Sequence, residues 1–156
     1  MYTAPVKHRD LTHRLGEEMK LEGRIWKDEK TNYWVVYVPL LDISTQGRTR
    51  KVALAMIEDA IHVEAEQVLK IQAELSREQS VFTVSADDPD SLIAFLLRRQ
   101  RTCHGLSVRD VASRLKSNSP TAYAQYEQGK RSPSLGKLLD LLHAIDPKLD
   151  AVLKVG

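Results

Sequence analysis

Five histidines, one cysteine and a scatter of carboxylates are the side chains of this 156-residue sequence that could hold a metal or attack a substrate. His8, His13, His62, His104 and His143 share no ligand-like spacing and have no Cys or carboxylate set beside them at one, so they read as surface or partly buried residues. Cys103 has no second cysteine to pair with and reads as a small filler beside a helical core. No catalytic residue, metal site or cofactor is expected. Two other concentrations point to binding. Trp26, Tyr33, Trp34 and Tyr37 gather both tryptophans and two of the five tyrosines within twelve positions. Between Ser91 and Lys137, nine basic residues stand against only Asp110 and Glu127, a net of +7 in a chain whose total is +2. Such clustering is the electrostatic footprint of a nucleic-acid binder.

The charge divides along the chain. Residues 1–86 hold 12 basic and 13 acidic side chains, and residues 87–156 hold 11 and 8. The polar break Ala86-Asp87-Asp88-Pro89-Asp90 marks the expected boundary. A hydrophobic content of 42% suffices for a core, and no apolar run reaches the ~20 residues of a membrane span. The N-terminus lacks the apolar stretch of a signal peptide, and a lone cysteine suits a reducing compartment, so a cytoplasmic protein is expected.

The elements that must position these residues follow from periodicity. Residues 1–18 have no sustained pattern and read as a flexible arm. Alternation from Leu21 to Trp26, a turn-prone Lys27–Asn32 and the aromatic, β-branched run Tyr33–Val38 predict a hairpin. Pro39 separates it from a third strand at Leu41–Gln46. Thr49 is placed to cap a long helix in which Ala53, Ile57, Ala60, Ile61, Val68, Ile71 and Leu75 recur at helical spacing. Val81–Val84 returns as a fourth strand, giving a β-β-β-α-β order over residues 19–86. Residues 87–156 read as four helices (Ser91–Arg101, Ser107–Leu115, Ser119–Glu127, Ser134–Ile145) and a short terminal strand, Leu149–Val155, suited to pairing across a dimer. The fold class is therefore α+β.

In the second half, LSVRDVASRL (Leu106–Leu115), SPTAYAQYEQG (Ser119–Gly129) and KRSPSLGKLLDLLHAI (Lys130–Ile145) resemble the helix-turn-helix of phage repressors, including a Glu-x-Gly-x-x-x-Pro segment at Glu127–Pro133. The expected packing sets Val111, Ala112 and Leu115 against Tyr123 and Tyr126, with Leu135, Leu138, Leu139 and Leu142 buried in the last helix. The turn departs from the family's glycine, with Lys116-Ser117-Asn118 in its place and Asn118 expected at positive φ; Val108 stands where a phosphate-anchoring Gln is common. The resemblance implies that Pro120, Thr121 and Gln125 face base edges. Ser119, Lys130 and Arg131 would then hold phosphate.

In the first half, TNYWVVYVPLLDISTQGRTRKVALAMIEDAI (Thr31–Ile61) resembles HicB antitoxins: an aromatic strand, a Pro-x-Leu-Asp corner, a Thr-Gln-Gly turn and an Ala-rich helix after a Thr. That family has a partial ribonuclease-H-like domain, and its members commonly carry a C-terminal DNA-binding domain. The resemblance implies an antitoxin that neutralises a HicA-like mRNA-cleaving toxin and represses its own operon as a homodimer or dimer of dimers, nucleoid-associated at its operator. Trp26, Tyr33, Trp34 and Tyr37 are the expected toxin contacts. A ribonuclease-H site would need converging carboxylates, whereas Asp28 and Glu29 fall in the hairpin turn and Glu58 and Asp59 on a solvated helix face, so no enzyme is expected. The alternative is a stand-alone transcriptional regulator whose first domain only oligomerises or binds a ligand.

Overall fold

The computed structural model describes residues 19–149, so the N-terminal arm and the terminal strand beyond Leu149 lie outside the described residues. The predicted hairpin forms from β1 (Leu21–Lys27) and β2 (Trp34–Val38). Its turn closes because the Asp28 carboxylate accepts from the Thr31 N–H (2.8 Å) and hydroxyl (2.5 Å), while Asn32 takes positive φ. Pro39–Leu41 winds into a 3-10 turn instead of opening the third strand, and Asp42, at φ 50°, redirects the chain into β3 (Ile43–Gly47).

Helix α1 (Arg50–Glu64) begins where expected, the Thr49 hydroxyl accepting from the Val52 N–H at 3.2 Å. It ends earlier than its apolar series suggests. Glu66 and Gln67 both adopt left-handed φ near 60°, so Val68 falls in a loop, and Ile71 and Leu75 belong to a further strand, β4 (Ile71–Leu75). With β5 (Val81–Ala86), the β-β-β-α-β order gains one strand. A short strand's period-two apolar residues (71, 73, 75) coincided with a helical series, which concealed it.

The sheet is antiparallel throughout, in the order β3-β2-β1-β5-β4. Leu21, Ile25, Val36, Val38, Phe82 and Val84 point to one face, where Ala53, Ile57 and Ile61 of α1 cover them. Two glycines permit that closeness. A Cβ on Gly47 would stand 2.4 Å from the Ala53 amide nitrogen, and one on Gly23 would stand 2.1 Å from the edge of the Phe82 ring.

Four helices follow: α2 (Pro89–Cys103), α3 (Val108–Arg114), α4 (Pro120–Glu127) and α5 (Leu135–Ile145). Ser107 and Ser134 cap α3 and α5 through their hydroxyls, and Ser107 forms a capping box with Asp110. All six residues Leu92–Leu97 of α2 are buried, which a helix achieves only with neighbours on every side. On one side it meets β5 and the 3-10 turn, on the other α4 and α5. Arg99 donates to the Leu41 and Asp42 carbonyls (2.8 and 3.2 Å) and Gln100 to that of Leu40 (2.5 Å). One hydrophobic core therefore runs from the sheet through α2 into the helices. In α5 the buried residues are Leu138, Leu141, Leu142 and Ile145; Leu135 and Leu139, expected inside, are half-buried because the helix presents a face rotated toward Leu141 and Ile145.

Candidate nucleic-acid interface

Helix α4 carries the residues assigned to base edges. Its interior side is fixed by Tyr123 and Tyr126, both buried against Val111 and Ala112 of α3, with Leu115 packed more loosely beside them. That leaves Thr121 exposed and Pro120, Ala124 and Gln125 half-exposed. Ser119 is the N-cap, but its hydroxyl caps no amide, and Pro120 at the first position has no N–H to satisfy. The positive end of the helix is thus presented without a side-chain acceptor, the arrangement that suits a phosphate.

At the other end Gly129 takes φ 67°, and the Lys130 N–H returns to the Gln125 carbonyl at 3.0 Å. Lys130 and Arg131 then emerge exposed, the Arg131 guanidinium lying 5.5 Å from the centre of the Tyr126 ring. Eight residues make a helix about 12 Å long, close to the width of the DNA major groove. Ser119 lies at one end of this helix and Lys130 and Arg131 just beyond the other.

Helix α4 is tied to α2 by a buried ion pair that sequence reasoning missed. Arg101 donates from Nε and Nη2 to the two Glu127 oxygens (2.6 and 2.9 Å) and from Nη1 to the Leu106 carbonyl (2.9 Å). The Tyr123 hydroxyl donates to the same carboxylate at 2.5 Å. Burial, reinforced by Glu127, pushes the Tyr123 phenol far above its ordinary value, so it stays a donor. The acidic residue of the Glu-x-Gly segment therefore faces inward and ties α4 to α2. Between α3 and α4 the positive φ belongs to Lys116 (55°), not Asn118: the chain turns just after the C-cap residue Leu115, and the Ser117 N–H closes onto the Ala112 carbonyl at 2.9 Å.

The +7 cluster is thinner than its count. Arg98 pairs with Glu66 (3.2 Å), Arg99 with Glu64 (3.0 Å) and Arg101 with Glu127, while Arg114 donates to the Ala144 and Ile145 carbonyls that end α5. Arg109, Lys116, Lys130, Arg131 and Lys137 are the cations of this cluster with no ion-pair partner among the described residues.

The hairpin aromatics divide between the two faces. Trp26 lies outside, 45% exposed, opposite Val35; Tyr37 shares that face and its hydroxyl donates to Asp42 at 3.2 Å, with Tyr33 half-buried just before β2. Burial pushes the Tyr37 phenol up. Trp34 lies on the opposite side of β2, where the Arg50 guanidinium stacks on its ring at 4.2 Å. Among the described residues, no three His, Cys, Asp or Glu side chains converge, and no helix is long and apolar enough to cross a membrane.

Residues 92–148, from the first turn of α2 to just past α5, match the family model described as a helix-turn-helix domain. This segment is a DNA-binding helix-turn-helix domain. The match takes in α2, so the helix packed under the sheet is also the first helix of the DNA-binding domain. No curated protein and no solved structure matches the chain.

Proposed function

We propose that this protein is a HicB-like antitoxin that represses its own operon. The observation that carries the reading is a helix-turn-helix domain joined through a shared core to an antiparallel sheet whose outer face carries an exposed Trp26 beside half-buried Val35 and Tyr37. The two motif resemblances stand in the order that family uses; the additional strand β4 is this chain's departure from its β-β-β-α-β pattern.

In this reading α4 enters the major groove. Gln125 pairs bidentately with an adenine, Thr121 meets a thymine methyl or a base-edge acceptor, and Pro120 packs on the same edge. Ser119, Lys130 and Arg131 hold the backbone on either side. A single unit binds weakly, so two copies occupy half-sites about one helical turn apart, as a homodimer or a dimer of dimers. The sheet's outer face, with Trp26, Tyr33 and Tyr37, covers the RNA-cleaving toxin; Trp34, stacked on Arg50, supports that face from behind. The protein acts by binding and not by catalysis, needs no cofactor, and works in the cytoplasm at its operator.

The test is the neighbouring reading frame. Expressed alone, a short basic protein encoded beside this chain should arrest growth; co-expression of this chain should restore growth, and the two should co-purify. Trp26→Ala should weaken rescue while leaving operator binding intact. A neighbour with no effect on growth and no affinity for the chain leaves the stand-alone regulator as the reading that fits.

A further inference from the structure

The two edges of the sheet are treated differently. At β4, α1 closes the edge: the Glu58 carboxylate accepts from the Ala73 N–H at 2.7 Å, and His62 bonds the Leu69 carbonyl at 2.6 Å. At β3, the opposite edge, no hydrogen bond beyond its pairing with β2 reaches Ser44–Gly47 among the described residues. Alternate N–H and C=O groups there face outward, a template for another strand. Beside this open edge runs a groove of about 530 Å³, floored by Ile43 and Thr45 of β3 and by Met56, Ala60 and Val63 of α1. Val52, Met56, Ala60 and Val63 form one stripe along α1; Val52, Met56 and Val63 are 47%, 44% and 63% exposed.

Charge identifies the occupant. Asp42, Asp59 and Glu64 line the groove against one cation, Arg99, whose donors already go to the Leu41 and Asp42 carbonyls and to Glu64. We propose that the β3 edge and the α1 groove form a docking site for an extended segment of a partner protein in which basic and apolar residues alternate. The segment adds a sixth strand antiparallel or parallel to β3, its inward side chains lie on Met56 and Val63, and its basic residues meet Asp42 and Asp59. The site touches the outer sheet face assigned to the toxin at Asp42, which accepts from the Tyr37 hydroxyl, and does not rest on that assignment.

The test uses the full chain, ¹⁵N-labelled, and a Lys-Val alternating heptapeptide, with a Glu-Val heptapeptide of equal length as control. The Lys-Val peptide should shift and protect the outward amides within Ser44–Gly47 and leave Ala73, already bonded to Glu58, unchanged. Asp59→Lys, on exposed helix surface, should weaken the peptide about fivefold or more, and Met56→Glu should weaken it while circular dichroism stays unchanged. Equal binding of both peptides, insensitivity to Asp59→Lys, shifts confined to Trp26 and Tyr37, or concentration-dependent protection of β3 without peptide would each overturn the proposal; the last would make a second copy the occupant.

Discussion

Glu127 sits in the middle of the helix-turn-helix with 7% of its side chain exposed, receiving Arg101 twice and Tyr123 once. Removing it leaves the Arg101 guanidinium, 15% exposed, without its anion, and such a loss destabilises by about 3–5 kcal/mol. Glu127→Ala should therefore lower the denaturant midpoint strongly, whereas Lys130→Ala, on open surface, should leave it within about 0.5 kcal/mol of the parent. Gln125→Ala belongs to another class: discrimination at one base pair should fall by about 1–3 kcal/mol, measured by competition against single-base variants of the site. Uniform loss on every sequence would refute base reading by Gln125. The sequence pattern around Glu127 was recognisable, but its role was not, because the partner lies 26 positions upstream and only folding brings the two together. The same holds for Arg98, Arg99 and Arg114, which counted as free charge in the chain and are engaged in the fold.

Local elements were legible where one residue decides them. Thr49, Ser107 and Ser134 cap the helices that follow because a hydroxyl reaches an amide three residues on, an interaction written within four positions. In the α3 capping box, the Ser107 hydroxyl and then its N–H hold the Asp110 carboxyl below the usual carboxylate range. Its contribution is therefore complete above the ordinary carboxyl value and fades as pH falls through the lowered one. Amides in the first turn of α3 should exchange faster in acid in the parent, and Ser107→Ala, which keeps only the backbone N–H bond to Asp110, should reduce that dependence. The end of α1 was not legible, since left-handed φ at Glu66 and Gln67 is taken by residues with no marked preference for it. Gly47 shows how tightly the helix lies on the sheet: Gly47→Ala should destabilise by about 1–3 kcal/mol, because the new methyl meets α1 backbone that has no room to yield.

Across the molecule, α2 makes the sheet and the DNA-binding helices one packed body. Its charged, proline-containing approach at Asp87–Asp90 reads as a boundary in sequence, yet Leu92–Leu97 are buried on both sides of it in space. Sheet and helix probes should accordingly report one unfolding transition, and Leu96→Ala should lower both together by about 2–5 kcal/mol. Two separated transitions would show that the shared core is not cooperative. The same packing through α2 links α4 to the sheet. The most direct measurement is the salt dependence of the full chain's affinity for its own upstream DNA, beside a shuffled sequence. Tighter binding to the upstream DNA is expected, with log affinity falling linearly in log salt and the slope reduced by about one in Arg131→Ala. Equal affinity for both sequences, or a slope that Arg131→Ala leaves unchanged, would contradict the placement of α4 and its flanking cations on the operator.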